Sequence, residues 1–258
     1  MSVNALAREV LERHLPVMNS SVLEQANGIG VPAPDFRHVR HWIFDLDNTL
    51  YRADCGLFAQ IEARMTQFVA RVTATDHAEA WRIQKDLYRQ YGTTLSGLMA
   101  TRGIDAEAYL EFVHDIDLGA LTPDAGLGQA IARLEGRRFI FTNGCRRHAT
   151  RILARLGMDR LFDEIWDIRT IGFVPKPDRR AYDAVVASAG LEPRAAAMFD
   201  DIAHNLVAAR ALGMTTVWLK PALDFSAHAG AAEISLAGRG HIDHETADLT
   251  AFLNSIRI

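Results

Sequence analysis

The residues best suited to chemistry in this 258-residue chain follow short apolar runs. The first run ends in Asp45 and Asp47, and three later runs lead into acidic, amide and hydroxyl side chains or into a lysine. Because ligands of an open parallel sheet bind at the carboxyl ends of its strands, we expect these side chains to meet at one edge. The candidate residues are Asp45, Asp47, Asn48, Thr142, Asn143, Lys176, Asp200, Asp201 and Asn205.

This set of side chains suits a divalent cation together with a phosphate group. Carboxylates alone would repel a phosphate dianion, by about 4 kcal/mol per pair of charges in near contact. Mg²⁺ reverses that sign locally and prefers oxygen ligands, while Lys176 supplies a positive charge on the other side. Backbone N–H groups after the first two runs can hold the oxygens of a transferring phosphoryl group.

Two aspartates two residues apart also allow a division of roles. One carboxylate can attack phosphorus and form a covalent intermediate, and the other can protonate the leaving oxygen and then activate water. The second role requires a pKa raised from about 3.9 towards neutrality. Asp45 and Asp47 have the spacing for this pair of roles.

Each feature also has a plainer structural explanation. A DxD sequence occurs in nucleotide-sugar transferases, calcium loops and surface turns, although an EF-hand loop starting at Asp45 would place Leu50 and Gly56 where Gly and Glu are required. Asp200 and Asp201 could cap a helix. Lys176 could be a loop lysine, but it is one of only three lysines in an arginine-rich chain. Four such segments in order favour a catalytic site.

The remaining reactive residue types point to no second chemistry. The ten histidines contain no HExxH sequence, and we interpret them as surface or core residues. Cys55 and Cys145 are far apart and form no CxxC sequence, so we expect free thiols, with Cys145 a small buried apolar residue. P-loop and nucleophile-elbow sequences are absent from the chain.

The order of elements predicts an α/β core interrupted by an all-helical insert. From Leu57 to about Leu121, apolar residues recur at three- and four-residue spacing, with YGTTLSGLMATRG as a polar join between helices. After Pro123 helices and strands alternate, which predicts a Rossmann-like parallel sheet covered on both faces. HETADLTAFLNSI is predicted to be a closing helix. The predicted parts are an appendage at 1–37, a core at 38–56 and 123–258, and a helical cap at 57–122.

Composition and charge exclude several classes of partner. The formal net charge is −4 and the isoelectric point is near 6.2, which disfavours binding to nucleic acid. No apolar run approaches the roughly 20 residues needed to span a bilayer. The first residues are predicted to form a short amphipathic helix rather than a secretory signal, so we expect a cytoplasmic protein. The oligomeric state is left open.

Four segments of the chain resemble the sequence motifs of the haloacid dehalogenase-like hydrolases, in particular the pyrimidine 5′-nucleotidase branch. They are FDLDNTLY, FTNG, PKPD and FDDIAHN, and they occur in that order. YGTTLSGL, VHDIDLGALTPD and HIDHETADLTAFL also resemble that branch, so the similarity runs from about residue 40 to the end. One departure is Leu134–Arg137, where the branch often has Leu-Pro-Gly-Arg, at the start of the second predicted strand.

The resemblance implies a role for each candidate residue. Asp45 would be the nucleophile and Asp47 the general acid and base. Mg²⁺ would be held by Asp45, by the backbone carbonyl of Asp47 and by Asp201, with Asp200 acting through water. Asn48, Thr142, Asn143 and Lys176 would bind the phosphoryl group, and Asn205 would orient the metal ligands.

The resemblance also implies a substrate, a pyrimidine nucleoside 5′-monophosphate such as UMP or CMP. The helical insert would close over it as a cap, and we expect Tyr91, Thr93 and Thr94 to face the nucleoside. Three alternatives stay open. They are another small phosphate ester such as phosphoglycolate or a sugar phosphate, a phosphomutase reaction, and a binding protein without activity.

Overall fold

The computed structural model describes residues 32–220 and 236–258. The chain divides into the units Met1–Pro34 and Asp35–Ile258, and the second unit carries the sheet and all the elements below. The predicted N-terminal helix lies outside the described residues.

Six parallel strands form a single sheet with the order β3-β2-β1-β4-β5-β6. The strand β1 lies between β2 and β4 and is therefore covered on both edges. This arrangement confirms the predicted Rossmann-like α/β class. The strands are β1 (His41–Phe44), β2 (Arg137–Phe141), β3 (Glu164–Trp166), β4 (Ala196–Asp200), β5 (Thr215–Leu219) and β6 (His244–Thr246).

The sheet is apolar on both faces because successive side chains of a strand point to opposite sides. Phe44 packs into one buried apolar cluster, where its ring stacks on that of Phe199 at 4.7 Å between centroids. Its neighbour Ile43 packs into a second cluster on the other face. Phe44 pairs with Ile140 on β2 and with Phe199 on β4, so the three strands end nearly level.

Helices follow the strands and cover both faces of the sheet. Most end at a glycine with positive φ or begin at an aspartate whose carboxylate accepts from a first-turn N–H, as Asp178 and Asp124 do. The core helices are α5 (Ala125–Ala132), α6 (Arg146–Leu156), α7 (Arg179–Ala189), α8 (Leu206–Leu212) and α9 (Leu249–Ser255). No helix in the described parts of the chain is both long and apolar enough to cross a membrane.

Residues 57–113, between β1 and α5, form the helical insert, as the spacing of their apolar residues predicts. Its helices are α1 (Leu57–Thr73), α2 (His77–Tyr91), α3 (Thr94–Arg102) and α4 (Ala106–Val113). The prediction of a polar join at YGTTLSGLMATRG is wrong, because Thr94–Arg102 forms α3. Thr93 caps that helix by accepting from the Ser96 N–H, and Leu95 and Leu98 are buried.

The closing segment also differs from its prediction as one helix. His244–Thr246 forms the edge strand β6, which pairs with β5, and α9 begins only after Asp248. Pairing across the sheet outweighs local helix preference here, since β5 would otherwise present an open edge. At the other end of this unit Phe36 is fully buried and stacks on Trp42. Cys55 and Cys145 are free thiols, as predicted.

Candidate active site

The segments after β1 and β4 meet at one buried lysine from the segment after β3. Lys176 lies in the loop after β3 and is 2% exposed. Its Nζ donates to Asp45 Oδ1 at the end of β1 and to Asp200 Oδ2 at the end of β4, each at 2.7 Å. The level ends of the central strands bring these side chains together, and the lysine is therefore a part of the site rather than an exposed loop residue.

Asp45, Asp200 and Asp201 form an acidic cluster in which one carboxylate oxygen from each lies within 4.8 Å of the others. Burial raises the pKa of Asp45 to about 7, with Lys176 acting against the rise and Asp200 adding to it. Burial likewise raises the pKa of Asp201, and the charges of Asp45 and Asp200 add to it. Two buried carboxyl groups with raised pKa values, beside the third carboxylate of Asp200, are a fitting set of ligands for a hard divalent cation.

Asp200 is the most firmly held member of this cluster. Its carboxylate accepts from the Ile202 N–H at 2.9 Å and from Asn205 Nδ2 at 3.0 and 3.1 Å, in addition to Lys176. The Tyr182 hydroxyl in turn donates to the backbone carbonyl of Asn205. Asn205 thus orients a carboxylate of the cluster, and Tyr182, which the sequence analysis did not single out, holds Asn205.

The segment after β2 contributes Thr142 and Asn143 in different ways. Thr142 is buried, and its Oγ1 accepts from the Gly144 N–H at 2.9 Å, which leaves the hydroxyl hydrogen to donate. Asn143 donates from Nδ2 to the Lys176 carbonyl at 3.2 Å and accepts from the Lys176 N–H at 2.8 Å. In this structure Asn143 therefore fixes the loop that carries the lysine, and its amide group is occupied by that contact.

The turn after β1 carries Asn48 in a left-handed conformation, with φ at 60°. A non-glycine residue in that region is uncommon, and asparagine is among the residues that tolerate it. The Asn48 Oδ1 atom is buried without a hydrogen-bond partner among the described residues. The Asn48 side chain also lowers the pKa of Asp201 by hydrogen bonding, although burial outweighs it. Asn48 therefore lies beside the acidic cluster.

The side chain of Asp47 lies outside the acidic cluster. Its Oδ1 accepts from the Tyr51 hydroxyl at 2.6 Å and lies 2.9 Å from His148 Nε2. Burial acts to raise the pKa of Asp47, but the charge and hydrogen bond of His148, with the bond from Tyr51, lower it to about 2. This direction is opposite to the rise that the sequence analysis requires of a general acid, because Tyr51 and His148 supply donors to the carboxylate.

His148 is the main site residue that sequence reasoning missed. It lies in the first half of α6, is fully buried, and its ring stacks on that of His114 with centroids 4.3 Å apart. The Nδ1 of His114 is 3.2 Å from the Cys145 thiol, and burial lowers the pKa of His114 to about 3. The only available signal in the sequence was the position of His148 shortly after the FTNG segment.

The helical insert lines a cleft beside the lysine loop. A cavity of about 420 Å³ is bounded on the insert side by Tyr91 and Ser96 and on the core side by the loop from Phe173 to Asp178. Burial raises the pKa of Tyr88, and the charges of Asp201 and Asp200 add to the rise. The end of α2 therefore lies near the acidic cluster.

Only Tyr91 of the three residues expected to face a nucleoside lines this cleft. Thr94 is buried, at 4% exposure, and Thr93 uses its hydroxyl oxygen to cap α3. The expectation for these two threonines is therefore wrong, since helix formation turns their side chains to structural contacts.

Comparison with known proteins places this geometry in a family. The sequence model described as haloacid dehalogenase-like hydrolase matches residues 39–213, which include β1, β2, β3, β4, the insert and every candidate residue. The chain is 31% identical over 201 residues to phosphate metabolism protein 8 of Saccharomyces cerevisiae, a match that covers 71% of this chain and 62% of that protein. The chain thus spans less than two thirds of that relative's length.

Solved structures resemble the fold at low sequence identity. A phosphatase of the same superfamily from Thermococcus onnurineus has a TM-score of 0.54 and 16% identity, over 85% of this chain and all of that one. The Bacillus subtilis protein YfnB, solved bound to magnesium, has a TM-score of 0.53 and 17% identity, over 85% of this chain and 99% of that one. At these identities the resemblance establishes the fold alone.

Proposed function

Because this chain belongs to the haloacid dehalogenase-like hydrolases, we propose that it hydrolyses a phosphate monoester through an aspartyl-phosphate intermediate. The observation that carries the proposal is the arrangement around Asp45. Its carboxylate meets Lys176 and two further aspartates at the end of β1. Asp47, two residues later, supplies a second carboxylate, which lies apart from that cluster.

The acidic cluster is suited to Mg²⁺. Asp45, Asp201 and the backbone carbonyl of Asp47 would hold the ion, with Asp200 nearby and already fixed by Asn205. The bound ion would supply positive charge opposite the transferring phosphoryl oxygens. Lys176 supplies a second positive charge, and its own pKa is raised, because Asp200 and Asp45 outweigh the effect of burial. Lys176 therefore stays charged throughout the neutral range.

In the first step a carboxylate oxygen of Asp45 attacks phosphorus. The bond from phosphorus to the ester oxygen breaks, and that oxygen takes a proton from Asp47 and leaves as an alcohol. Asp45 then carries the phosphoryl group. Lys176 and the hydroxyl of Thr142 are placed to stabilise the phosphoryl oxygens, while Asn143 holds the lysine loop in place.

In the second step Asp47, now a carboxylate, takes a proton from a water molecule. The water oxygen attacks phosphorus, the bond from phosphorus to Asp45 breaks, and inorganic phosphate leaves. Both starting carboxyl groups are then restored. With a pKa of about 2 in the substrate-free protein, Asp47 is ionised at neutral pH, which is the form that accepts a proton in the second step. The approach of a negatively charged ester would favour its protonated form for the first step.

The presence of Asp47 favours phosphate over halide as the group transferred. A halide leaves without a proton, whereas an alkoxide leaving group requires one. Asp47 is held by Tyr51 from its own segment and by His148 from α6, which is the arrangement needed for an oriented acid. We therefore favour a phosphatase over a dehalogenase, although the family is named for dehalogenases.

The proposed substrate is a pyrimidine nucleoside 5′-monophosphate, and the helical insert acts as the cap. Two observations support this choice. The four motifs resemble the pyrimidine 5′-nucleotidase branch, and Tyr91 offers an aromatic surface in the cleft beside the lysine loop. The name of the yeast relative, phosphate metabolism protein 8, is consistent with the phosphatase class. Another small phosphate ester is the second candidate.

The first experiment measures phosphate release from a panel of nucleoside monophosphates, phosphoglycolate and sugar phosphates, with Mg²⁺ or with EDTA. We expect UMP and CMP to lead the panel. Activity should be lost in EDTA and should fall at least about 10³-fold in Asp45→Asn, because the amide is a poor nucleophile. Asp183→Asn, an exposed carboxylate on α7, is the matched control and should keep full activity.

The outcomes separate the levels of the proposal. If another ester leads the panel but both EDTA and Asp45→Asn abolish turnover, the mechanism stands and the nucleotide substrate is wrong. Preferential transfer of the phosphoryl group back to a sugar would identify a phosphomutase. Turnover that survives in Asp45→Asn would exclude the aspartyl-phosphate intermediate.

A further inference from the structure

The carboxylate of Asp47 is held by two side chains to which the sequence analysis assigned no role. Both hydrogen bonds, from the Tyr51 hydroxyl at 2.6 Å and at His148 Nε2 at 2.9 Å, go to Oδ1. A carboxylate fixed through one oxygen has a single orientation, and its other oxygen, Oδ2, is left for reaction. Tyr51 is only four residues after Asp47. His148, in contrast, lies on α6, which follows the insert in the sequence.

His148 is itself fixed by its surroundings. Its ring is fully buried and stacks on His114 at 17° between planes, and the far nitrogen of His114 contacts the Cys145 thiol. A side chain at Gly144 would place its Cβ 3.5 Å from both His114 Nε2 and His148 Cδ2. The imidazole thus has little freedom to rotate away from Asp47.

The hydrogen bonding of His148 indicates which nitrogen carries its hydrogen. The Nδ1 atom is buried without a partner among the described residues. The carboxylate of Asp47 offers only acceptors, so the ring nitrogen that faces Oδ1 must carry a hydrogen. His148 therefore donates Nε2–H to Asp47 Oδ1, and Tyr51 donates to the same atom.

We propose that His148, braced by His114, is a positioning residue that together with Tyr51 orients Asp47 so that Oδ2 serves as the proton donor to the leaving oxygen. The inference rests on the proposed phosphatase function. Its specific consequence concerns the leaving group. An alkyl ester needs the proton that Asp47 donates, whereas a nitrophenolate leaves readily without one. Loss of orientation at Asp47 should therefore impair the hydrolysis of alkyl esters much more than that of aryl esters.

The test compares kcat/KM for UMP and for p-nitrophenyl phosphate in His148→Leu, His148→Gln and Tyr51→Phe, with Asp47→Asn as the reference. Proton donation is worth about 10²- to 10⁴-fold, so His148→Leu should lose about 10²-fold on UMP and less than about 5-fold on the aryl ester. His148→Gln keeps an N–H donor near the position of Nε2 and should recover most of the loss. Tyr51→Phe should show the same split as His148→Leu.

His77→Leu is the matched control, because His77 is an exposed histidine on α2. It should leave both substrates unaffected. Thermal unfolding of each variant reports whether the fold is intact, and Tyr51→Phe and His148→Gln keep the test decisive if His148→Leu does not fold. Equal losses on the two esters, or no loss in any of these variants, would overturn the positioning role while leaving the phosphatase intact. A wild-type protein that releases phosphate from neither ester would overturn the proposed function itself, and this inference with it.

Discussion

At the scale of single residues, Asp45 and Asp201 show what the acidic cluster costs the protein without a cation. The pKa of each is raised, chiefly by burial, and the neighbouring carboxylates add to the rise. A carboxyl group whose pKa is raised by folding contributes stability below its unfolded pKa of about 3.9, and this contribution is lost as pH rises through the folded value. For Asp45 that value is about 7. The free energy of unfolding of the metal-free protein should therefore fall as the pH rises from acidic to neutral.

Asp201→Asn should relieve this penalty. In EDTA at about pH 8 we expect the variant to unfold about 3 °C or more above wild type, because about 1 kcal/mol shifts the midpoint of a chain this size by roughly 2–4 °C. The difference should shrink at about pH 5, and Mg²⁺ should stabilise wild type much more than the variant. Thermal unfolding followed by circular dichroism measures it. Comparing the variant with wild type cancels the pH-dependent contributions of other titrating groups such as His114. A wild type that is more stable than Asp201→Asn in EDTA at both pH values would contradict the assigned repulsion.

At the scale of elements, the site depends on β1 and β2 ending level. Their pairing begins where the Arg137 N–H donates to the Arg40 carbonyl at 2.9 Å, immediately after Gly136. Gly136 has φ at 95°, and a Cβ there would lie 2.3 Å from the same carbonyl oxygen. The departure at Leu134–Arg137 thus keeps the one residue that this close approach requires.

Gly136→Ala should therefore be far more destabilising than an ordinary glycine substitution. Gly190, at the end of α7, also has positive φ, at 60°, but a Cβ there would meet nothing within 4 Å. Gly190→Ala should cost about 1–2 kcal/mol of unfolding free energy for its backbone conformation alone. Gly136→Ala should cost about 2 kcal/mol more, because overpacking against the Arg40 carbonyl is added. Urea unfolding measures both, and equal costs would show that β1 and β2 separate there without penalty.

At the scale of the whole molecule, ion pairs join the insert to the core. Arg169, in the loop after β3, donates from Nε to Glu107 of α4 at 2.6 Å and forms a second bond to the same carboxylate. Arg147 of α6 lies 3.5 Å from Glu111, which is also on α4. The loop that carries Arg169 continues to Lys176, so the position of α4 is linked to the phosphate-binding side of the site.

If closure of the insert accompanies substrate binding, Glu107→Gln should weaken binding more than it weakens the fold. An ion pair of this exposure is worth about 0.2–1 kcal/mol, so we expect KM for the preferred ester to rise up to about 5-fold with little change in unfolding temperature. Asp183→Asn removes a comparable exposed ion pair that lies within α7 alone, and it should leave KM unchanged. KM of both variants is measured by steady-state kinetics at low and high salt. Equal KM in both variants would show that the ion pair does not contribute to closure.

Much of this architecture was available from local patterns in the sequence. Buried strands appear as apolar runs, and helices appear as apolar residues at three- and four-residue spacing. The α/β core and the helical insert could therefore be predicted from the spacing of apolar residues alone. The carboxyl ends of parallel strands meet at one edge, and this rule was enough to predict that Asp45, Lys176, Asp200 and Asp201 lie together.

What the sequence could not determine was which side chains contact one another across long separations. His148 is 101 positions from Asp47, and β6 forms only because β5 presents an edge to it. The Asn143 side chain holds the lysine loop, a contact that the sequence analysis did not predict. Such partners depend on where helices pack and which donors remain unpaired after packing, and these are properties of the tertiary structure. The residue types that could do the chemistry could therefore be identified from the sequence, while the orientation of the acid Asp47 was decided by the fold.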